Sequence, residues 1–220
     1  MLKTSYSFDG ADLIASALLR NVGGGNYIDV GANHPQFNNN TNFFYRKGWR
    51  GLAIEGNDQF KELWEKDRPQ DIFVSALISN VVKNVEFAIF PDNSMSTIDV
   101  STIKRISSRF KSEEIIKQEK TTTTLFDVKN KFFNNTEIHL LCIDIENEDF
   151  NCLLGAQLEL WKPGLIVIEV KNLSLYNILN NEIVEYLTSI GYRMIAKTAL
   201  DAFFVFPKKK YLDWIPETIL

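Results

Sequence analysis

The chain is poor in cysteine. Cys142 and Cys152 are the two among 220 residues, both in apolar stretches. Buried free thiols fit that placement better than a disulfide or a cysteine metal site. No apolar run approaches transmembrane length. Met1 to Tyr6 lacks the apolar core of a signal peptide, so a cytoplasmic protein is expected. The sequons at Asn39, Asn134 and Asn172 then carry no weight. Excess positive charge is missing too. A net charge of -4 and a pI near 5.3 argue against a nucleic-acid partner held through phosphates. The Lys208-Lys209-Lys210 run reads as a solvated tail. What remains, with 45% hydrophobic and 24% charged residues, is the composition of a soluble globular domain with a sizeable core. One domain over 1–220 is expected.

Glycine is scarce where a dinucleotide fold would need it. Tyr27-Ile-Asp-Val-Gly-Ala-Asn-His-Pro35 reads as a strand running into a turn. After Gly31, Asn33 and Gln36 stand where G-x-G-x-x-G would place its next glycines, which makes a poor pyrophosphate cradle. Gly23-Gly24-Gly25 precedes the strand and cannot substitute. An acid and a single glycine at a strand end suit a ligand with hydroxyls and positive charge, such as S-adenosylmethionine. The crevice at the carboxyl ends of parallel strands is where an α/β sheet binds such ligands.

Periodicity and breakers place helices at 8–21, 38–47, 58–65, 125–132, 149–158 and 180–189. Asp9 is the expected cap of the first. Strands are expected at 27–30, 49–55, 71–79, 85–90, 139–145 and 165–170, with a closing hairpin of 192–197 and 202–206. Pro91 to Thr97 is turn-rich. Val100 to Lys120 reads as charged, partly helical and mobile. The alternation implies a mostly parallel sheet with crossover helices, ended by an antiparallel strand.

Three stretches together resemble the FkbM-type methyltransferase family. They are Tyr27 to Pro35, Gly48-Trp-Arg-Gly-Leu-Ala-Ile-Glu55 and Leu141-Cys-Ile-Asp-Ile-Glu146. Asp9 to Leu13 and Lys162-Pro163 fit the family as well, so the resemblance runs from about Ser7 to Phe206. It implies an α/β Rossmann-like class I methyltransferase: a mostly parallel seven-stranded sheet, helices on both faces, a C-terminal antiparallel hairpin. It also implies methyl transfer from S-adenosylmethionine, usually to a hydroxyl, in polysaccharide, glycolipid or natural-product pathways. A sugar hydroxyl on a glycan, a nucleotide sugar or a glycosylated natural product is the expected acceptor. One departure stands out. Relatives commonly continue D-V-E-G-H, whereas Asn147 and Glu148 occupy the glycine and histidine positions here. That keeps alive a degenerate binding subunit, with a nucleotide-dependent oxidoreductase of the same architecture as a more distant alternative.

The expected cofactor residues are Asp29, Gly31, Asn33, Glu55, Ala76 and Asp144. Glu55 would accept ribose hydroxyls on both carboxylate oxygens. Asp29 would either touch the cofactor or organise its turn. Gly31 would let the backbone approach the ligand. Ala76 and Leu77 stand where adenine lies in such folds. The candidate catalytic residues are His34, Asp144 and Glu146, with His34 alternatively a structural histidine fixing its loop. If the fourth buried strand stays extended, Asp144, Glu146 and Glu148 share a face and could hold Mg²⁺. If it ends at Ile145, Glu148 and Asp149 belong to the next helix, where its dipole favours acids. The variable stretch 81–120 is expected to shape the acceptor pocket. His139 and Trp49 read as structural.

Overall fold

A computed structural model describes residues 4–170 and 178–216. The sequon at Asn172 lies outside them. The chain runs α1 (Ala11–Leu18), β1 (Asn26–Val30), α2 (Asn42–Arg46), β2 (Arg50–Glu55), α3 (Lys61–Asp67), β3 (Ile72–Ser75), β4 (Leu77–Ile78) and β5 (Asn84–Ile89). It continues with α4 (Val100–Ser107), β6 (Ile116–Thr123), α5 (Leu125–Phe133), β7 (Leu140–Ile143), α6 (Asp149–Leu154) and α7 (Leu158–Trp161). β8 (Leu165–Glu169), α8 (Glu182–Ser189), β9 (Arg193–Lys197) and β10 (Asp201–Val205) complete it.

Seven strands form the main sheet in the order β3-β2-β1-β7-β8-β10-β9. β10 pairs antiparallel with both β8 and β9, while β3, β2, β1, β7 and β8 pair in parallel. This is the Rossmann-like sheet the sequence implied, with the hairpin's second strand inserted ahead of its first. Both faces are apolar because each buried strand alternates two hydrophobic sets. Ile28, Leu52, Leu141 and Ile166 pack on one side with Leu125, Leu153 and Leu187 of the helices. Tyr27, Leu140, Leu165 and Phe203 pack on the other with Ala15, Leu18 and Phe44. Cys152 and Cys142 fall in these opposite cores as free thiols.

Several elements depart from expectation. Helix α1 starts later, because Gly10 takes a left-handed backbone (φ 84°) and no side chain caps the helix. Asp12, rather than Asp9, reaches back to accept from Tyr6 N at 2.7 Å and Ser5 Oγ at 2.6 Å. The strand expected over 71–79 divides. Ala76 N bonds Glu55 O, and beyond it β4 joins a second sheet of order β4-β6-β5. The expected single helix over 149–158 breaks at Gly155, where a Cβ would meet Ser79 O at 2.5 Å. Residues 100–120 hold α4 and most of β6, and β6 pairs with β5 from Ile116↔Ile89 to Thr121↔Asn84. β6 was foreseen only at its end, where Thr121 to Thr124 reads as β-prone, because Ile-Lys-Gln-Glu-Lys-Thr-Thr-Thr has one apolar residue and mostly half-exposed or exposed positions, leaving no period-2 hydrophobic signal.

Behind the carboxyl end of β1 lies a buried polar network centred on Arg68, which is 1% exposed. Its Nε donates to Asp71 Oδ2 at 2.7 Å, its Nη2 to Tyr27 Oη at 2.6 Å and Thr41 Oγ1 at 3.0 Å. Its Nη1 donates to Asn39 Oδ1 at 3.0 Å and Pro35 O at 3.3 Å. Asp71 also accepts from Gly51 N at 2.7 Å and Tyr27 Oη at 2.7 Å. The guanidinium thus joins β1, β2, the start of β3 and the loop after β1. Asn39 is 3% exposed, so its sequon is closed to modification in the folded chain. Removing one partner of a buried pair strands the other, at a cost of about 3–5 kcal/mol. Arg68→Ala is therefore expected to lower unfolding free energy by that amount in urea titration. A loss under about 1 kcal/mol would remove Arg68 from this central role.

Candidate active site

The parallel register levels the strand ends: Val30 pairs with Ile54 and with Ile143. Turns then leave all three strands together. Gly31 (φ 80°) is fixed by Ile54 O, which accepts from its N–H at 2.9 Å. A Cβ on Gly31 would lie 1.8 Å from Asp144 O. The glycine is therefore required by the approach of β7's own backbone. A ligand need not be invoked for it.

Glu55 ends β2 with its side chain buried. Oε2 accepts from Asn33 N at 2.9 Å and Oε1 from Asn57 N at 2.7 Å. Burial pushes its carboxyl above the ordinary range, opposed by the N–H groups of Asn57, Asn33 and Gly56. Each oxygen keeps further acceptor capacity. A cleft opens in front of it, lined on its apolar side by Ile54, Leu77, Ile78, Phe87 and Ile98. Gly31, Asn33, Glu55, Ala76 and Asp144 all border this cleft. An apolar wall with a few convergent polar groups is the make-up of a small-molecule site.

Asp29 does not border it. Its Oδ2 accepts from Thr41 Oγ1 at 2.6 Å and Asn39 Nδ2 at 3.2 Å, so it braces the loop after β1 through side chains. Burial raises its carboxyl, opposed by the Thr41 hydroxyl and the Arg68 charge. His34 lines a wider cleft beside the first, but its Nδ1 accepts from Gln36 N at 3.0 Å and Phe37 N at 3.2 Å. The lone pair a base would use is thus engaged, and the neutral ring carries its proton on Nε2. Burial depresses its pKa, against the pull of Asp67. The structural role fits this geometry and the role of base does not.

The segment after β7 does not stay extended. Glu146 (φ 51°) and Asn147 (φ 73°) are left-handed, and Asp149 accepts from Ile145 N at 3.0 Å and Asn147 N at 3.2 Å. Glu148 consequently turns away from Asp144 and Glu146. It is buried, accepting from Ser79 Oγ at 3.1 Å and Asn151 Nδ2 at 3.0 Å. Glu169 at the end of β8 takes its place: one carboxylate oxygen each from Asp144, Glu146 and Glu169 lie within 4.8 Å of one another. Among the described residues, the trio that could hold a cation is this one, in place of Asp144, Glu146 and Glu148. Glu169 was legible as another acid closing a buried strand, as Asp29 and Glu55 do. Asp144 is open to the cleft yet densely surrounded. That enclosure and the charges of Glu169, Asp149 and Glu146 hold its carboxyl well above the usual range.

The stretch between β5 and α4 reaches this site. Thr97 Oγ1 donates to Glu146 O at 2.8 Å, and Asn147 Nδ2 donates to Thr102 Oγ1 at 2.5 Å. Asn93, Ser94 and Thr97 line the first cleft and were not foreseen individually.

The Methyltransferase FkbM domain model matches residues 29–194, most of the chain and all of this site. The chain belongs to the FkbM methyltransferase family. Asn147, where the resemblance expected glycine, holds the left-handed turn a glycine would hold. Glu148, where it expected histidine, is held by Ser79 and Asn151 at the border of the first cleft. No curated protein matches this FkbM domain. Among solved structures it is similar to a TehB-like SAM-dependent methyltransferase from Corynebacterium glutamicum, at 12% identity and TM-score 0.45, covering 91% of this chain and 89% of that one. A Burkholderia thailandensis 1,6-didemethyltoxoflavin-N1-methyltransferase, solved with 1,6-didemethyltoxoflavin and S-adenosylhomocysteine, matches at 12% and 0.43, covering 90% and 79%. A precorrin-6y C5,15-methyltransferase from Geobacter metallireducens matches at 10% and 0.43, covering 88% and 84%. At such similarity these neighbours bear on neither substrate nor residue roles. No helix among the described residues is long and apolar enough to cross a membrane.

Asp201 faces Glu169 across the β8–β10 ladder. Burial and the charges of Asp9 and Glu169 push its pKa up to about 7. A raised carboxyl stabilises the fold fully below its unfolded pKa near 4, and that contribution disappears as pH rises through about 7. Asp201→Asn should therefore raise Tm at pH 8, by the equivalent of about 1–4 kcal/mol, and have little effect at pH 4. Equal Tm shifts at both pH values would place the effect outside titration.

Proposed function

We propose that this FkbM-family domain binds S-adenosylmethionine and methylates a hydroxyl on a sugar-bearing acceptor, working in the cytoplasm and serving polysaccharide or related glycan biosynthesis. The observation that carries the cofactor assignment is the cleft in front of Glu55. A buried carboxylate there keeps acceptor capacity for ribose hydroxyls, beside an apolar wall of Leu77, Ile78 and Phe87 that suits a base. When bound, the cofactor supplies an electrophilic methyl on a sulfonium. The protein's contribution is alignment of the two reactants. Asp144 borders both clefts, and in its ionised form it would take the proton from the acceptor hydroxyl. Glu146 also borders both and would orient that hydroxyl. The hydroxyl-directed and sugar-directed parts of this reading rest on the family resemblance and on the carboxylates at the junction of the clefts. The intact Glu55 cleft favours an active enzyme over a degenerate binding subunit.

Calorimetry should show one site for S-adenosylmethionine and one for S-adenosylhomocysteine. Glu55→Ala should weaken both by about 1.5–3 kcal/mol through loss of charged hydrogen bonds, while Glu55→Gln keeps one carbonyl acceptor and controls for folding. No heat with either ligand on folded protein would end the methyltransferase reading.

Protonation of Asp144 removes the base, so the rate should fall as pH drops through its raised pKa. The acid limb of kcat is expected above the ordinary carboxylate range, and Asp144→Asn should lower kcat about 10²–10⁴-fold. An acid limb that persists unchanged in Asp144→Asn would assign the base elsewhere.

A further inference from the structure

One wall of the first cleft comes from outside the main sheet. Residues 91–97 follow β5 and fold back on it, with Ala88 N donating to Thr97 O at 3.0 Å and Thr97 N to Ala88 O at 3.1 Å. Asp92 Oδ1 accepts from Ser94 N at 3.1 Å and Ser94 Oγ at 2.6 Å, capping a short 3₁₀ turn, Asn93–Met95. Asn93, Ser94, Ser96 and Thr97 line the first cleft together with Gly31 and Glu55. The segment is tied to two strand ends. Thr97 Oγ1 holds Glu146 O after β7, and Asn93 Oδ1 accepts from Asn57 Nδ2 at 3.2 Å after β2. Asn57 gives the second tie a direction. It is 1% exposed. Its N–H donates to Glu55 Oε1 at 2.7 Å, and its Oδ1 accepts from Gln59 N at 3.1 Å. The amide oxygen of Asn57 is thereby turned to Gln59, so its nitrogen is the atom that faces Asn93. Asn93 answers with its carbonyl arm, and its Nδ2 sits on the other arm of the same planar group. Two hydrogen bonds through Asn57 thus join the Glu55 carboxylate to an amide donor on a residue lining the same cleft.

We propose that Asn93 is a ribose-binding residue, its Nδ2 donating to the oxygen of a cofactor hydroxyl that itself donates to Glu55. The proposal rests on the S-adenosylmethionine reading above and deepens it. A hydroxyl carries one hydrogen and two lone pairs, whereas an ionised carboxylate only accepts. Glu55 therefore satisfies the hydrogen of a ribose hydroxyl and leaves its oxygen in need of a donor. A hydroxyl that donates to a carboxylate is also the better acceptor, because the two bonds polarise one another. Asn93 supplies the donor, held at a fixed separation from Glu55 by their shared partner Asn57. Recognition of the ribose is then divided between the end of β2 and the segment after β5. A ligand without that hydroxyl would leave an acceptor and a donor unpaired at once.

The test is calorimetry with S-adenosylhomocysteine and its 2′-deoxy and 3′-deoxy analogues, none of which needs an acceptor. Absence of heat with S-adenosylhomocysteine on the folded wild-type protein ends the cofactor reading itself, and this proposal with it. Where the wild type binds, Asn93→Ala should raise Kd for S-adenosylhomocysteine about three- to tenfold, the loss of one hydrogen bond. An unchanged Kd overturns the proposal and leaves the cofactor reading standing. Asn93→Asp keeps an oxygen for Asn57 and replaces the amide arm by a second oxygen. It should raise Kd at least as much as Asn93→Ala, and wild-type affinity in Asn93→Asp overturns the proposal. The analogues separate direct contact from support of the segment. With one of the two deoxy ligands the Asn93→Ala penalty should vanish, because the hydroxyl that the amide serves is gone and the two losses are no longer additive. A penalty of full size on all three ligands means that Asn93 acts by holding its segment in place, and overturns the proposal. Should Asn93→Ala fail to fold, Asn93→Asp carries the same comparison across the three ligands.

Discussion

A buried guanidinium holds this fold at the point where its site begins. Arg68 is surrounded by Asp71, Tyr27, Asn39, Thr41 and the Pro35 carbonyl, and it lies 4.2 Å from the centre of the Trp64 ring. Such a charge survives burial only because nearly every donor finds an acceptor in fixed geometry. Its placement decides the course of the loop after β1. Asn39 and Thr41 in turn bond Asp29, while Trp64 Nε1 donates to Asn33 O at 2.7 Å. The turn that borders the first cleft is therefore supported from behind by side chains that do not line it.

The site in front of this brace is built largely from backbone. Gly31 and Asp144 approach so closely that no side chain fits between them. Glu55 spends part of its acceptor capacity on the N–H groups of Asn33 and Asn57. It therefore sets the distance between two loops as well as offering oxygen to the cleft. Asp149 does the same for the turn after β7. Carboxylates at strand ends here are first of all fasteners of main chain. Those that also face open space, Asp144 above all, are the ones we propose for chemistry.

The sheet was legible because its strands are long apolar runs separated by capped or glycine-ended helices. Strand-end acids and the turn at Gly31 were legible because each closes such a run. What escaped reading depended on tertiary contact. The threonines from Thr121 are β-prone, but nothing in Ile116 to Lys120 marks a strand until β5 pairs with it. Glu148 spaced with Asp144 and Glu146 looks like a third ligand, and only the left-handed backbone at Glu146 and Asn147 shows that Glu169 stands there instead. His34 sits beside the cofactor turn in sequence, but two adjacent N–H groups claim its free nitrogen. Asp29 carries the family motif while facing away from the cleft, since a motif records identity and not the direction a side chain takes.

The Asn147 turn has a consequence for how the acceptor side can diversify. A glycine in the same backbone conformation would bring more freedom in the unfolded chain and no side chain to hold. Asparagine lowers that entropy and gives the turn a handle, which Thr102 grips while Thr97 holds the neighbouring carbonyl. The rigidity of the Glu146 loop is thus delegated to a segment outside the main sheet. Substitutions in that segment can retune how firmly the loop is preorganised for binding, and because Thr97 lines the first cleft while Glu146 borders both, a change there is felt in both clefts. One small domain thus ties its two clefts to a single supporting segment.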